Sequence, residues 1–98
     1  MHFSTILATT LILATTALAG YDVANCGNAV HTHHAATTAA CNAVNGDLCD
    51  RTGLTRCTVD ESKYGAFGDA CKQNGVNEAY KRPGSFDHFT ATRLAGCT

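Results

Sequence analysis

Two groups of side chains in this chain have the types and spacing for chemistry. The first is His31-Thr32-His33-His34. On a helix, residues three apart lie on one face, so His31 and His34 become neighbours, and His88 or an acid would complete a ligand set for zinc or copper. The simpler reading puts His34 partly into the core and leaves the other imidazoles in solvent; no resident metal or cofactor is expected. The second group is His88 with Glu61 or Glu78 and Arg93. These are the types a ribonuclease-like site uses, an acid–base pair with a guanidinium to hold phosphate. Each would have to be carried to a common cleft by a different part of the chain. A third chemistry, a cysteine nucleophile, is disfavoured because the cysteines are even in number and read as paired.

Those cysteines, Cys26, Cys41, Cys49, Cys57, Cys71 and Cys97, dominate the architecture. An even count in a short exported chain implies a disulfide framework, with fifteen ways of pairing six thiols. No Cys-x2-Cys pair of the zinc-ribbon kind is present. Export is expected from residues 1–19, where an apolar stretch from Ile6 to Leu13 precedes Ala17-Leu18-Ala19, the small-x-small pattern a signal peptidase cuts after. No Lys or Arg precedes that stretch, which is short for a membrane anchor and, continued to Ala19, carries four threonines. Cleavage before Gly20 leaves 79 residues, enough for one domain over 20–98. In that segment Leu, Ile, Val and Phe number only 11, below the roughly 20% at which chains drift toward disorder. The interior cannot hold the fold alone, so cross-links must.

Seven basic and eight acidic residues give a net charge of −1. That balance offers no basis for non-specific nucleic-acid binding or for a cationic membrane-attacking surface, and no membrane insertion of the cleaved chain is expected. There is no Asn-x-Ser/Thr acceptor for N-glycosylation. Lys81-Arg82 has the form of a dibasic processing signal, but Pro83 makes the bond after it an imide, so it reads as a solvated turn.

The elements that would position these residues follow from periodicity. Tyr21 to Cys26 suits a short strand. Val30, His34, Thr37, Cys41 and Val44 recur at steps of four and three amid alanines, which predicts a helix over 30–44 ended by Asn45-Gly46. Leu48 to Val59 reads as a hairpin. A three-residue loop would place Asp50 opposite Leu54 and Cys49 opposite Thr55, with Cys49 and Cys57 on one sheet face. Asp60-Glu61-Ser62 starts a second helix that aligns Tyr64, Phe67 and Cys71 and ends at Asn74-Gly75, although Gly65 and Gly68 weaken it. Arg82-Pro83-Gly84-Ser85 is a turn; Val76 to Lys81 and Phe89 to Cys97 are expected as strands. The order predicts a small disulfide-rich α+β two-layer sandwich, two helices on an antiparallel sheet, with Cys41 and Cys71 tied to sheet cysteines. An all-β disulfide knot is the alternative.

Cys26 and Cys41 with fourteen residues between them, then Asn45-Gly46-Asp47 and Cys49-Asp50-Arg51-Thr52-Gly53 closed by Cys57, resemble the antifungal bubble-protein family of secreted mould proteins over about Cys26 to Cys71. The element order is similar to that of killer-toxin-like fungal effectors. Cys26-Gly27 ahead of an alanine-rich helix and the Gly-Cys-Thr ending are also similar to secreted fungal guanyl-specific ribonucleases, whose His-Thr-Gly-like block this chain lacks. The first two resemblances imply a secreted, monomeric, non-enzymatic protein of effector or antifungal type that binds a protein or cell-surface target. Recognition tends to sit on loops held by a rigid frame. The candidate contacts are therefore Asp50, Arg51 and Thr52 at the hairpin tip and Arg82 and Ser85 in the Pro-Gly turn, with a minimal ribonuclease and a histidine metal binder as the alternatives.

Overall fold

The protein is described by a computed structural model covering residues 20–51 and 54–97. The expected signal segment 1–19, and Thr52 and Gly53 of the hairpin tip, lie outside the described residues. Strand β1 (Tyr21–Cys26) leads to helix α1 (His34–Ala43), then the hairpin of β2 (Asp47–Arg51) and β3 (Leu54–Asp60). A 3-10 turn (Glu61–Lys63) opens helix α2 (Tyr64–Gln73), and β4 (Ala79–Lys81) and helix α3 (His88–Leu94) close the chain. The four strands form one antiparallel sheet in the order β2-β3-β1-β4. The α+β architecture with helices on an antiparallel sheet is therefore observed.

Alternation along the strands splits the interior in two. On one face Ala24, Cys26, Cys57 and Val59 meet Ala36, Ala40 and Cys41 of α1 and Phe67, Ala70 and Cys71 of α2. On the other, Val23 and Cys49 meet Ala91 and Ala95, with Tyr21, Phe86 and Leu94 at the margin. Helix α3 thus covers the face opposite α1 and α2, where the sequence had suggested a strand over 89–97. The threonines favour extended backbone, but Asp87 caps the segment as a helix: its carboxylate accepts from Thr90 N–H at 2.8 Å. Ala91 and Ala95, four apart, then face the sheet. The expected strand over 76–81 shortens to 79–81, because buried Val76 donates its N–H to Cys71 O at 3.0 Å and completes the end of α2.

Helix α1 also begins later than its periodicity suggests. The side chain of Asn28 accepts from Val30 N–H (3.0 Å) and His31 N–H (2.9 Å), an Asx turn that competes with the first helical turn. Val30, expected on the core stripe, is 94% exposed. From Thr37 onward the stripe holds: Thr37, Cys41 and Val44 are buried. The Thr37 hydroxyl accepts from Cys26 N–H at 2.9 Å and pins α1 to the end of β1. Asn45, at φ 57°, supplies the left-handed residue that ends the helix. The helical segment opens at Asp60 as expected, though its first turn is the 3-10 turn, where Asp60 accepts from Ser62 N–H at 2.9 Å, and α2 then runs from Tyr64 and stops where expected, with Gly75 at φ 86°.

The hairpin register differs from expectation by one residue. Arg51 pairs with Leu54, Asp50 with Thr55 and Cys49 with Arg56, so only two residues connect the strands. A one-residue change moves each side chain to the other face, and Cys49 and Cys57 accordingly lie on opposite faces. Each then reaches a different helical side: Cys57 bonds Cys41 of α1, and Cys49 bonds Cys97 just beyond α3. The third bridge joins Cys26 of β1 to Cys71 of α2. No described cysteine is free. The tie from each long helix to a sheet strand is as expected.

The central strand also buries a charge. Asp22 is fully buried, and among the described residues neither carboxylate oxygen has a hydrogen-bond partner. Its nearest cation, Lys81, stands 3.8 Å away over the ring of Tyr64. Burial pushes the Asp22 carboxyl above its ordinary 3.8, against the pull of Lys81 and with help from Glu61 and Asp60. An acid with a raised folded pKa favours the fold in its protonated form. That contribution is complete below the unfolded value and lost as pH rises through the folded one.

Two outcomes follow from this frame. The double variant Cys41→Ala/Cys57→Ala, which opens a bridge of sequence separation 16, should lose about 3 kcal/mol in denaturant unfolding, and reduction of all three bridges should abolish the far-UV signature of the fold. Asp22→Asn should melt higher than the parent at neutral pH, with the gain shrinking as pH falls through the raised folded value and gone below the ordinary 3.8; melting temperature against pH reads it directly.

Candidate functional site

Two concavities flank the sheet at opposite ends of β3. At the Leu54 end, the loop entering α1 and the start of β3 enclose an open groove of about 460 Å3, lined by Val30, His31, Thr32, His34, Leu54 and Arg56 along with Ala29. Strand β1 stops at Cys26, opposite no residue of β3 beyond Cys57, so the loop after Gly27 takes the place of a strand beside Leu54–Arg56. Gly27 makes that turn at φ 124°, where a Cβ would strike His31 O. The groove combines exposed aliphatic side chains, Val30 at 94% and Leu54 at 53%, with a guanidinium and two imidazoles. Among the described residues no carboxylate lines it.

Its polar floor is ordered. The Arg56 guanidinium donates to Thr32 Oγ1 at 2.7 Å and to Thr55 O at 3.0 Å. Thr55, fully buried, directs its hydroxyl proton to Asp50 Oδ1 at 3.1 Å, and its oxygen lies 2.5 Å from His34 Nδ1. With the one hydroxyl proton committed to Asp50, Nδ1 is the donor to Thr55. His34 is therefore fixed in orientation rather than packed in the core as its place on the stripe suggested. His31 lies outside the helix and stands edge-on to His33 with centroids 4.7 Å apart, so it is not His34's helical neighbour. Among the described residues no three His, Cys, Asp or Glu side chains come together as a metal site.

At the Asp60 end, α3 brings His88 to Asp47: Nε2 donates to Oδ2 at 2.5 Å, and the imidazole stands edge-on to Tyr21 at 4.9 Å. The pair lines a cleft of about 220 Å3 with Tyr21, Asn45, Asp60 and Lys63, floored by Gly46 and Thr58. The Ser62 hydroxyl, together with its N–H, holds the Asp60 carboxyl below the ordinary carboxylate range. Arg93 and the two glutamates do not join His88. Arg93 lies over Phe89 at 5.6 Å in a separate hollow, and Glu78 accepts from Asn28 at the far end of β1. Glu61 begins the 3-10 turn and is absent from the cleft lining.

The expected contact loops are also apart. Asp50 is occupied by Thr55, and Arg51 Nη1 donates to Gly96 O at 3.4 Å, while Thr52 lies outside the described residues. Arg82 and Ser85 are exposed, but their turn adjoins the Tyr21–Phe86 bridge at the other end of the sheet. Sequence reasoning missed Val30, Leu54 and Arg56. The available signal was Leu54 beside the hairpin turn, where a large apolar residue has little to pack against. Comparison with known protein families, with curated proteins and with solved structures finds no match.

Gly46 sits where both sites depend on the frame. A Cβ there would strike Cys57 Sγ and lie 2.9 Å from Cys41 Sγ and 3.1 Å from Thr58 O, all held by bridge or backbone. Gly46→Ala should therefore cost about 1–3 kcal/mol as overpacking. Gly65→Ala, where a Cβ meets nothing within 4 Å on α2, should gain about 0.5–1 kcal/mol; denaturant midpoints of the two variants give the comparison.

Proposed function

We propose that this chain is a secreted, non-enzymatic binding protein of effector or antifungal type, exported on residues 1–19 and acting as a monomer. It grips an acidic stretch of a protein or cell-surface partner in the groove between the α1 entry loop and β3. The observation that carries the reading is the pairing of exposed Val30 and Leu54 with Arg56, His31 and His34 in a hollow that no carboxylate lines among the described residues. Apolar side chains left in water beside a guanidinium mark a contact surface better than a structural one. The charge selects an acidic partner, and the ordered floor limits the entropy lost on docking. Three disulfides suit a small protein that works outside the cell.

The test uses fluorescently labelled, disulfide-bonded protein on intact fungal and bacterial cells, with growth followed in parallel. The parent should bind saturably, and Val30→Asp/Leu54→Asp should weaken binding at least about tenfold by removing apolar contact and adding repulsion. Growth arrest that vanishes with the double variant identifies the antifungal role; binding without arrest identifies the effector role. Equal binding by parent and variant removes the groove from the function.

A further inference from the structure

The second cleft has a different chemistry from the groove, and its ligand follows from what lines it. Asp47 and Asp60 present carboxylates, Lys63 and His88 present cationic or donor groups, Asn45 presents an amide, and Tyr21 presents a ring. Opposed charges so close together disfavour a free anion and a free cation alike. What they suit is a neutral molecule with many donors and acceptors and one apolar face. The cleft, about 220 Å3, is smaller than the roughly 300–1,000 Å3 of pockets for drug-sized ligands, and so suits a single ring.

The hydrogen-bonding capacity is present and unspent. Asp47 uses Oδ2 for His88, and among the described residues its Oδ1 and the His88 Nδ1 have no partner. Asp60 takes both Ser62 donors on Oδ1, leaving Oδ2. Lys63 spends one N–H on Val44 O at 3.3 Å. The Asn45 side chain makes no hydrogen bond among the described residues, and its left-handed backbone, φ 57°, holds it at the cleft. Carboxylates held by His88 and by Ser62, with an amide and an aromatic ring beside them, match the alternating hydroxyls and C–H face of a sugar.

We propose that this cleft binds one neutral hexose unit of a glycan. The hydroxyls donate to Asp47 and Asp60 and accept from Asn45 and Lys63, and the ring packs on Tyr21. The inference stands apart from the groove and would give the protein a hold on glycan-coated surfaces independent of its acidic partner.

The experiment is a titration of the 15N-labelled, disulfide-bonded protein with methyl glucoside, methyl mannoside, N-acetylglucosamine and glucuronate, followed by amide shifts. At least one neutral sugar should give saturable shifts at Gly46, Asp47, Asp60 and Lys63, with a dissociation constant on the order of 1 mM. Asn45→Gly keeps the left-handed backbone and removes the amide, so it should weaken binding about fivefold. Lys63→Met should act in the same direction, while Leu54→Asp in the groove should change nothing. The proposal is overturned if no neutral sugar gives saturable shifts, if only glucuronate binds, or if Leu54→Asp abolishes sugar binding while Asn45→Gly and Lys63→Met leave it intact.

Discussion

The bonds from Cys26 to Cys71 and from Cys41 to Cys57 occupy the space where a larger domain would place leucines and isoleucines. Around them the interior is alanine, valine and threonine, with Phe67 the largest fully buried side chain. An interior of small side chains buries little apolar area per residue and so provides little driving force. The bridges act mainly on the other side of the balance, by restricting the chain when it is unfolded. Both lie on the α1 and α2 face and fasten each helix to a strand. The opposite face is closed by α3, which the Cys49–Cys97 bond holds where Ala91 and Ala95 alone would give weak packing.

The frame that the bridges hold also carries a buried carboxylate on one of its central strands. Among the described residues Asp22 accepts no hydrogen bond and has one cation, Lys81, at 3.8 Å, a state that costs stability at neutral pH. The same rigidity organises the two concavities. At one end of β3 the early stop of β1 leaves room for the Asx turn at Asn28 and for the groove. At the other end the pairing of Tyr21 with Asp60 brings β1, β3 and the start of α3 around His88. One strand therefore carries two surfaces of unlike character, one aliphatic and cationic, the other charge-balanced and rich in hydrogen-bonding groups.

The helices α1 and α2 were legible because alanine content and the spacing of Thr37, Cys41 and Val44, or of Tyr64, Phe67 and Cys71, repeat at the helical period and end at Asn-Gly pairs. The late start of α1 was not, since a single side-chain acceptor on Asn28 outweighs the propensity of the next residues. Segment 89–97 misled because its threonines favour strand locally, whereas Asp87 and two alanines four apart decide the outcome through packing on Val23. The hairpin register turned on whether two or three residues form the loop, which composition alone leaves open. The groove was invisible for a related reason: its residues belong to a loop and a strand more than twenty positions apart, brought together only where β1 ends. His88 was noticed for its type, but its partner Asp47, forty-one residues away, has nothing in its local sequence to mark it.

The three bridges are interlaced: Cys41–Cys57 lies within the span of Cys26–Cys71, and Cys49–Cys97 crosses both. Every peptide bond from Cys26 to Cys97 is consequently enclosed by at least one cross-link. A protease that nicks any exposed loop, the one after Lys81 included, produces two pieces that stay joined through sulfur. Digestion in an extracellular medium thus needs several cuts, or a reducing agent first, before the molecule comes apart.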